Sequence, residues 1–204
     1  MEANLVEAPT GLEGAQELCS LVAEALRPRA SGGEKPPLLV YEGGPKTRLE
    51  LEGRLEGRSI VSPREGGGPP AFIVLTSGST GKPSMVVLGA AAVLGAAHAT
   101  HEALGGVGRW VAALPLQHVA GLMVLARSAA AGIPPAFALG PGAFSVQRFA
   151  RAVLAAKEED AHQRLYTALV SKQLSEALQD DRGVEALRAL NAILLGGGRI
   201  EPEL

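Results

Sequence analysis

Leu75-Thr76-Ser77-Gly78-Ser79-Thr80-Gly81-Lys82-Pro83 is the stretch that announces the fold of this chain. It stands directly behind the apolar run Ala71-Phe72-Ile73-Val74-Leu75, whose length and β-branched content fit a buried strand, and ahead of a second such run over 85–88. Its glycines let backbone N–H groups approach phosphate oxygens closely. The hydroxyls of Thr76, Ser77, Ser79 and Thr80 add donors, and Lys82 adds positive charge. It is not a Walker A loop, which needs Gly, four residues and then Gly-Lys-Ser/Thr; here position 76 is Thr and Pro83 follows Lys82. On residue types alone, a phosphate cradle and a polar turn between two strands both satisfy the pattern.

Outward from this loop, apolar runs alternate with helical patterns. Strands are predicted over 110–114, 136–139, 165–170 and 192–195, and helices over 90–104, 119–131, 145–156 and 172–178. The helix over 145–156 is expected to be capped by Ser145, with Phe149 and Val153 turned inward, and Ser171 is expected to cap the one that follows it. Upstream, Gly66-Gly67-Gly68-Pro69-Pro70 breaks the chain. Before it, Leu12, Ala15, Leu18, Val22 and Ala25 recur at helical spacing over 10–27, where Thr10 and Glu13 fit a capping box. Leu38-Leu39-Val40-Tyr41 is a short apolar run, and 42–58 has too little periodicity to assign. Alternation at this spacing predicts a layered α/β fold of mainly parallel sheets flanked by helices, with the loops at strand ends open to ligands.

The bulk composition narrows the function classes. A chain of 204 residues with 47% hydrophobic content is long enough for a substantial core. A net charge of −2, spread along the sequence, and an aromatic content of 3% offer neither a basic phosphate-tracking face nor base-stacking rings, so no nucleic-acid partner is expected. Cys19, the single cysteine, has no disulfide partner, which fits a reducing cytoplasm; it is expected to pack within the first helix. The N-terminus lacks the basic-then-apolar pattern of a secretory signal, and Gly, Pro or charge interrupts every apolar run before it could cross a bilayer, so no membrane insertion is expected.

Two further segments carry chemistry. In Leu114-Pro115-Leu116-Gln117-His118-Val119-Ala120-Gly121-Leu122, His118 falls between a strand end and a helix start, where it can donate a hydrogen bond to a ligand or serve as a satisfied structural residue. Ile193-Leu194-Leu195-Gly196-Gly197-Gly198 is a strand opening into bare backbone: a surface for a flat ring, or an ordinary strand-ending turn. His98 and His101 lie on a predicted amphipathic helix, where packed or solvated histidines are commoner than ligands, and no metal-ligating residues are assigned.

Together these segments resemble the acyl-adenylate-forming superfamily, which includes acyl-CoA synthetases, luciferases and the adenylation domains of peptide synthetases. The superfamily's phosphate loop reads Thr-Ser-Gly-Ser/Thr-Thr-Gly-x-Pro-Lys, and eight of the nine places match at residues 76–83; Ser84 stands where the lysine is usual. The resemblance implies that Thr76, Ser77, Gly78, Ser79, Thr80, Gly81 and Lys82 hold the phosphates, and that Gly196, Gly197 and Gly198 lie against adenine and ribose. His118 would then stand beside the carboxylate and adenylate as the catalytic residue. The segments Ala99-Thr100-His101-Glu102-Ala103-Leu104, Gly108-Arg109-Trp110, Arg127-Ser128 and Tyr166-Thr167-Ala168-Leu169-Val170 look like those of compact, actinobacterial-type o-succinylbenzoate-CoA ligases.

By that resemblance the expected chemistry is activation of o-succinylbenzoate with ATP and Mg²⁺ as an acyl adenylate, and transfer of the acyl group to coenzyme A in menaquinone biosynthesis. Pairing of two copies as a homodimer is a further expectation. Residues 1–204 would be the N-terminal portion of the large adenylation domain, without the later glutamate, aspartate, hinge and small lysine-bearing domain of relatives, and so inactive alone. The alternatives are another carboxylic acid–CoA ligase of the superfamily and a truncated, non-catalytic nucleotide-binding module.

Overall fold

The computed structural model describes residues 2–28, 35–56, 67–76 and 84–198. Two four-stranded sheets organise them. The first has the order β1 (Asn4–Glu7), β2 (Leu38–Tyr41), β3 (Pro70–Thr76), β4 (Ser84–Gly89); its first three strands are parallel and β4 runs antiparallel to β3. The second has the order β6 (Ala136–Phe137), β5 (Arg109–Ala112), β7 (Leu165–Val170), β8 (Ala192–Gly196) and is parallel throughout. The layered, mainly parallel α/β architecture expected from the alternation is the one observed.

Three helices, α1 (Leu12–Leu26), α3 (Ala90–Ala103) and α4 (Val119–Ala131), fill the space between the sheets. Alternation along each strand decides which layer a side chain joins. Phe72 and Val74 of β3 and Trp110 and Ala112 of β5 enter this central core; Ile73 faces the outer helix α2 (Gly44–Leu55), and Val111 faces α5 (Val146–Glu159), α6 (Ser171–Leu178) and α7 (Asp181–Ala189). A strand covered on both faces has no polar side to show, which is why β2 reads as an uninterrupted apolar run and β7 as one broken only by Thr167, whose hydroxyl donates to the Val111 carbonyl at 2.9 Å. Among the described residues no helix is long and apolar enough to cross a membrane.

Several local expectations need correction. Thr10 does not cap α1: Gly11 holds the N-cap position without a side-chain hydrogen bond, and Glu13 sits in the first turn, where its charge favours the helix N-terminus. Ser171 does not cap α6 but begins it, with Val170 at the N-cap; the serine occupies the first helical position, where a proline would also fit. The unassigned segment 42–58 contains α2, which starts with Pro45 in its first turn and buries only Leu51 and Leu55, too narrow a stripe to register as periodicity. Ser145 does cap α5, accepting from the Arg148 backbone N–H at 3.3 Å. Cys19 packs half-buried in α1, and burial raises its thiol pKa to about 11.

Candidate functional site

The C-terminal ends of β5, β7 and β8 open on one side of the second sheet, and a cavity of about 670 Å³ lies there. α4 supplies one wall. Val119, Met123 and Arg127 recur at intervals of four residues, so a single stripe of the helix lines the cavity, with His118 at its N-cap. Leu169 and Val170 of β7 and Leu194, Leu195 and Gly196 of β8, continued by Gly197, line it from the sheet. The lining is mostly apolar with a few convergent polar groups, and its volume falls within the roughly 300–1,000 Å³ of small-molecule sites.

His118 is exposed, and its imidazole makes no cap hydrogen bond to α4, which leaves both ring nitrogens for an incoming group. The loop that presents it is fixed from below: the His118 backbone N–H donates to the Pro115 carbonyl at 3.3 Å, and Gln117 Nε2 donates to Glu42 Oε2 at 2.7 Å. Gly197 takes φ +81°, and a Cβ there would stand 2.9 Å from Val170 Cγ1, so a side chain is excluded on two grounds. Around Gly196 and Gly198 no described atom comes within 4 Å of an added Cβ. That open space beside bare backbone is what a flat ring needs.

The structure therefore brings His118, Gly196 and Gly197 into one cavity, although 78 positions separate the first from the second. Gly198 follows next in the chain and is not part of the lining. Thr76 ends β3 opposite Ser84, with Thr76 Oγ1 donating to the Ser84 carbonyl at 3.4 Å, and neither residue lines the cavity. Ser77, Gly78, Ser79, Thr80, Gly81 and Lys82 lie outside the described residues, as does Pro83.

Two lining residues carry roles that sequence reasoning did not assign. Gln173 Oε1 accepts from the Val170 N–H at 3.0 Å and its Nε2 donates to the Ala113 carbonyl at 3.4 Å, tying the ends of β5 and β7 together at the cavity. Among the described residues that line the cavity, Arg127 is the only Lys, Arg, Asp or Glu. Its signal was present: it is the sole charge in Val119–Ala131, an otherwise apolar helix. Its guanidinium lies 5.0 Å over the Trp110 ring and its Nε donates to Thr100 Oγ1 at 3.3 Å, while burial lowers its pKa.

Behind Arg127, His101 is 4% exposed and its Nε2 accepts from Trp110 Nε1–H at 3.0 Å. It is a packed core histidine, and His98 is exposed; among the described residues no group of three or more His, Cys, Asp or Glu side chains could hold a metal ion. Burial, then Arg127 and then His98, hold the His101 imidazole below its ordinary value of 6.5. The unfolded chain thus takes up this proton before the native state does. The native state's advantage is complete above about pH 6.5 and declines as pH falls below it, because the unfolded form then binds more protons. Thermal unfolding of His101→Gln, measured across the same pH range, should show a flatter acid limb than wild type; parallel curves would remove His101 from the titration.

Comparison with known proteins agrees with the geometry. The sequence profile of the family described as AMP-binding enzyme matches residues 15–204. Two curated proteins from strains of Mycobacterium tuberculosis, each named Probable 2-succinylbenzoate--CoA ligase, are 42% identical over 180 residues, which is 88% of this chain and 43% of theirs. The chain spans less than half the length of these relatives. Among solved structures, O-succinylbenzoate Coenzyme A Synthetase (MenE) from Bacillus subtilis in complex with AMP has a TM-score of 0.58 at 22% identity, over 98% of this chain and 44% of that one. A variant of E. coli MenE with bound OSB-AMS has a TM-score of 0.62 at 19% identity, over 99% and 45%. At such identities the likeness is one of fold.

Proposed function

The chain belongs to the AMP-binding enzyme family, and from that premise we propose that it forms the acid- and nucleotide-facing part of an AMP-forming acid–thiol ligase whose acid is o-succinylbenzoate, in menaquinone biosynthesis. The observation that carries this reading is the single cavity that collects His118, Arg127 and the Gly196–Gly197 backbone. Residues 1–204 then constitute the N-terminal portion of the large adenylation domain.

The chemistry runs in two halves. A carboxylate oxygen of the acid attacks the α-phosphorus of ATP and pyrophosphate leaves; the thiol of coenzyme A then attacks the acyl carbon and AMP leaves. No bond to the protein is required, so the side chains act by position and charge. The Gly196–Gly197 backbone lies flat against the adenine and ribose. His118 donates from the cavity mouth to the oxygens that gain charge as the acyl phosphate forms. The hydroxyls and amides of 76–82, with Lys82, hold the outgoing phosphates. Mg²⁺ would accompany those phosphates and offset their charge.

Arg127 supports o-succinylbenzoate over a simple acid. That substrate carries two carboxylates, and only one is activated. In a mostly apolar cavity the other costs too much to bury without a partner, and among the described residues Arg127 is the one fully charged side chain placed there to meet it. The name of the Mycobacterium tuberculosis relatives agrees with that substrate.

Acid-dependent pyrophosphate release with Mg-ATP, measured on the full polypeptide that carries this sequence, tests the reading. Release is expected with o-succinylbenzoate and not with benzoate or a medium-chain fatty acid. Arg127→Met should cut kcat/KM for o-succinylbenzoate about 10- to 100-fold, the worth of a hydrogen bond to a charged group. Release with another acid alone would change the substrate and keep the chemistry; release with none would leave a nucleotide-binding module.

A further inference from the structure

Trp110 is fully buried in β5 and does more than fill the core. One face of its ring supports the Arg127 guanidinium at 5.0 Å; Tyr166 packs against it with centroids 5.4 Å apart; and its Nε1–H donates to His101 Nε2 at 3.0 Å. An indole nitrogen is only a donor, so His101 must accept there and carry its own proton on Nδ1. That Nδ1 is buried and has no hydrogen-bond partner among the described residues. A leucine at 101 would avoid this cost. What histidine supplies in return is an acceptor that fixes the indole plane.

Arg127 is held from a second direction as well. Thr100 Oγ1 donates its hydrogen to the Ala96 carbonyl at 2.7 Å and so turns a lone pair toward Arg127 Nε, 3.3 Å away. With Nε tied back and the guanidinium plane resting on the indole, the two terminal nitrogens are the part of the fork left for a ligand in the cavity that Arg127 lines. Arginine carries large rotamer freedom, and a carboxylate met by a pre-oriented fork does not have to order it.

We propose that Trp110 and His101 are positioning residues: by fixing the plane on which Arg127 rests, they set the preference of the cavity for an acid that bears a second anionic group. This inference rests on the ligase reading above. It attributes to the pair an effect on substrate choice and not on the chemical step.

The test measures kcat and KM in the full polypeptide for o-succinylbenzoate and for the one of its two monocarboxylic analogues, β-benzoylpropionate or o-butyrylbenzoate, that keeps the activated carboxylate. His101→Leu is expected to raise KM for o-succinylbenzoate about tenfold, within the range of a desolvated cation–π contact, with kcat and the analogue's KM nearly unchanged. His101→Gln, which keeps an acceptor, should restore most of the preference, and Trp110→Phe, which keeps a ring but loses the N–H, should fall between. A diacid-to-monoacid ratio that stays at the wild-type value in folded His101→Leu overturns the proposal.

If the wild type turns over no acid, the ligase reading fails and the positioning role is decided by binding. Trp110 is the only tryptophan in these 204 residues, so its fluorescence on this chain reports the Arg127 environment directly. A response to o-succinylbenzoate that is lost in Arg127→Met and shifted about tenfold to higher concentration in His101→Leu upholds the role. No response in the wild type, or equal titrations in wild type and His101→Leu, overturns it.

Discussion

With His118 replaced by alanine, acid-dependent pyrophosphate release is expected to fall about 10²- to 10³-fold, the usual cost of deleting one donor aimed at developing charge. The side chain is exposed at the cavity mouth and caps nothing, so its loss removes little that holds the fold together. The thermal midpoint should therefore stay within roughly 2 °C of wild type, as for other surface changes. That separation of rate from stability is what marks a group acting on the reaction. His118→Gln keeps a donor near the same place and should recover part of the rate. A His118→Ala protein with unchanged release would place the imidazole off the reaction path, as a solvated loop side chain in a cavity that works without it.

Replacing Gly121 should produce the opposite pattern, a loss of stability that carries the site with it. Gly121 is buried in the first turn of α4, and a Cβ there would lie 2.2 Å from the Pro115 carbonyl oxygen, 2.8 Å from its carbon and 3.1 Å from the Leu114 oxygen. All three are backbone atoms of the loop that carries His118, so no side-chain rotation relieves the contact. The helix and the loop must separate. Overpacking of a rigid site costs up to about 3 kcal/mol, which for a chain of this size lowers the thermal midpoint by roughly 6–12 °C. Gly121→Ala should show this fall in differential scanning calorimetry together with loss of pyrophosphate release at temperatures where the protein is still folded. A midpoint unchanged from wild type would mean that the loop closes on α4 less tightly than the Pro115 contact requires.

The two variants probe the same loop from its two sides. His118 is what the loop presents, and Gly121 is what lets it sit against α4 at that height. A strand end followed by a helix start is a short connection, so an error of an ångström at residue 121 is passed to residue 118 with little room for absorption.

Sequence alone determined the features whose causes lie within a few residues. The helix over Val119–Ala131 was legible because it is apolar apart from Arg127 and Ser128; the cap at Ser145 because a hydroxyl meets an N–H three residues on; β7 because both its faces are buried and every residue from 165 to 169 is covered. The glycine run at 196–198 and His118 were legible as short contiguous motifs. Helix α7 carried a readable signal in Asp180, which accepts from the Gly183 N–H at 2.9 Å, but its stripe of buried positions is only Gly183 and Ala186.

Tertiary structure alone decided what meets what. A strand buried on both faces is mostly apolar and carries no mark of its partner, so neither the antiparallel turn of β4 nor the division into two sheets could be read from it. Thr10 lost its capping role to Gly11, and Ser171 moved inside its helix, because the chain's path into each helix is fixed by packing of the flanking strands as well as by local hydrogen bonds. The cavity is the clearest case. Its walls come from α4, β7 and β8, far apart in sequence, and Arg127 lines it on a fixed bed because β5 places Trp110 beneath it and α3 supplies Thr100 and His101 behind it. Local propensity extends over a turn or two of chain, whereas a binding site is set by the distances between elements, and those exist only once the layers have packed.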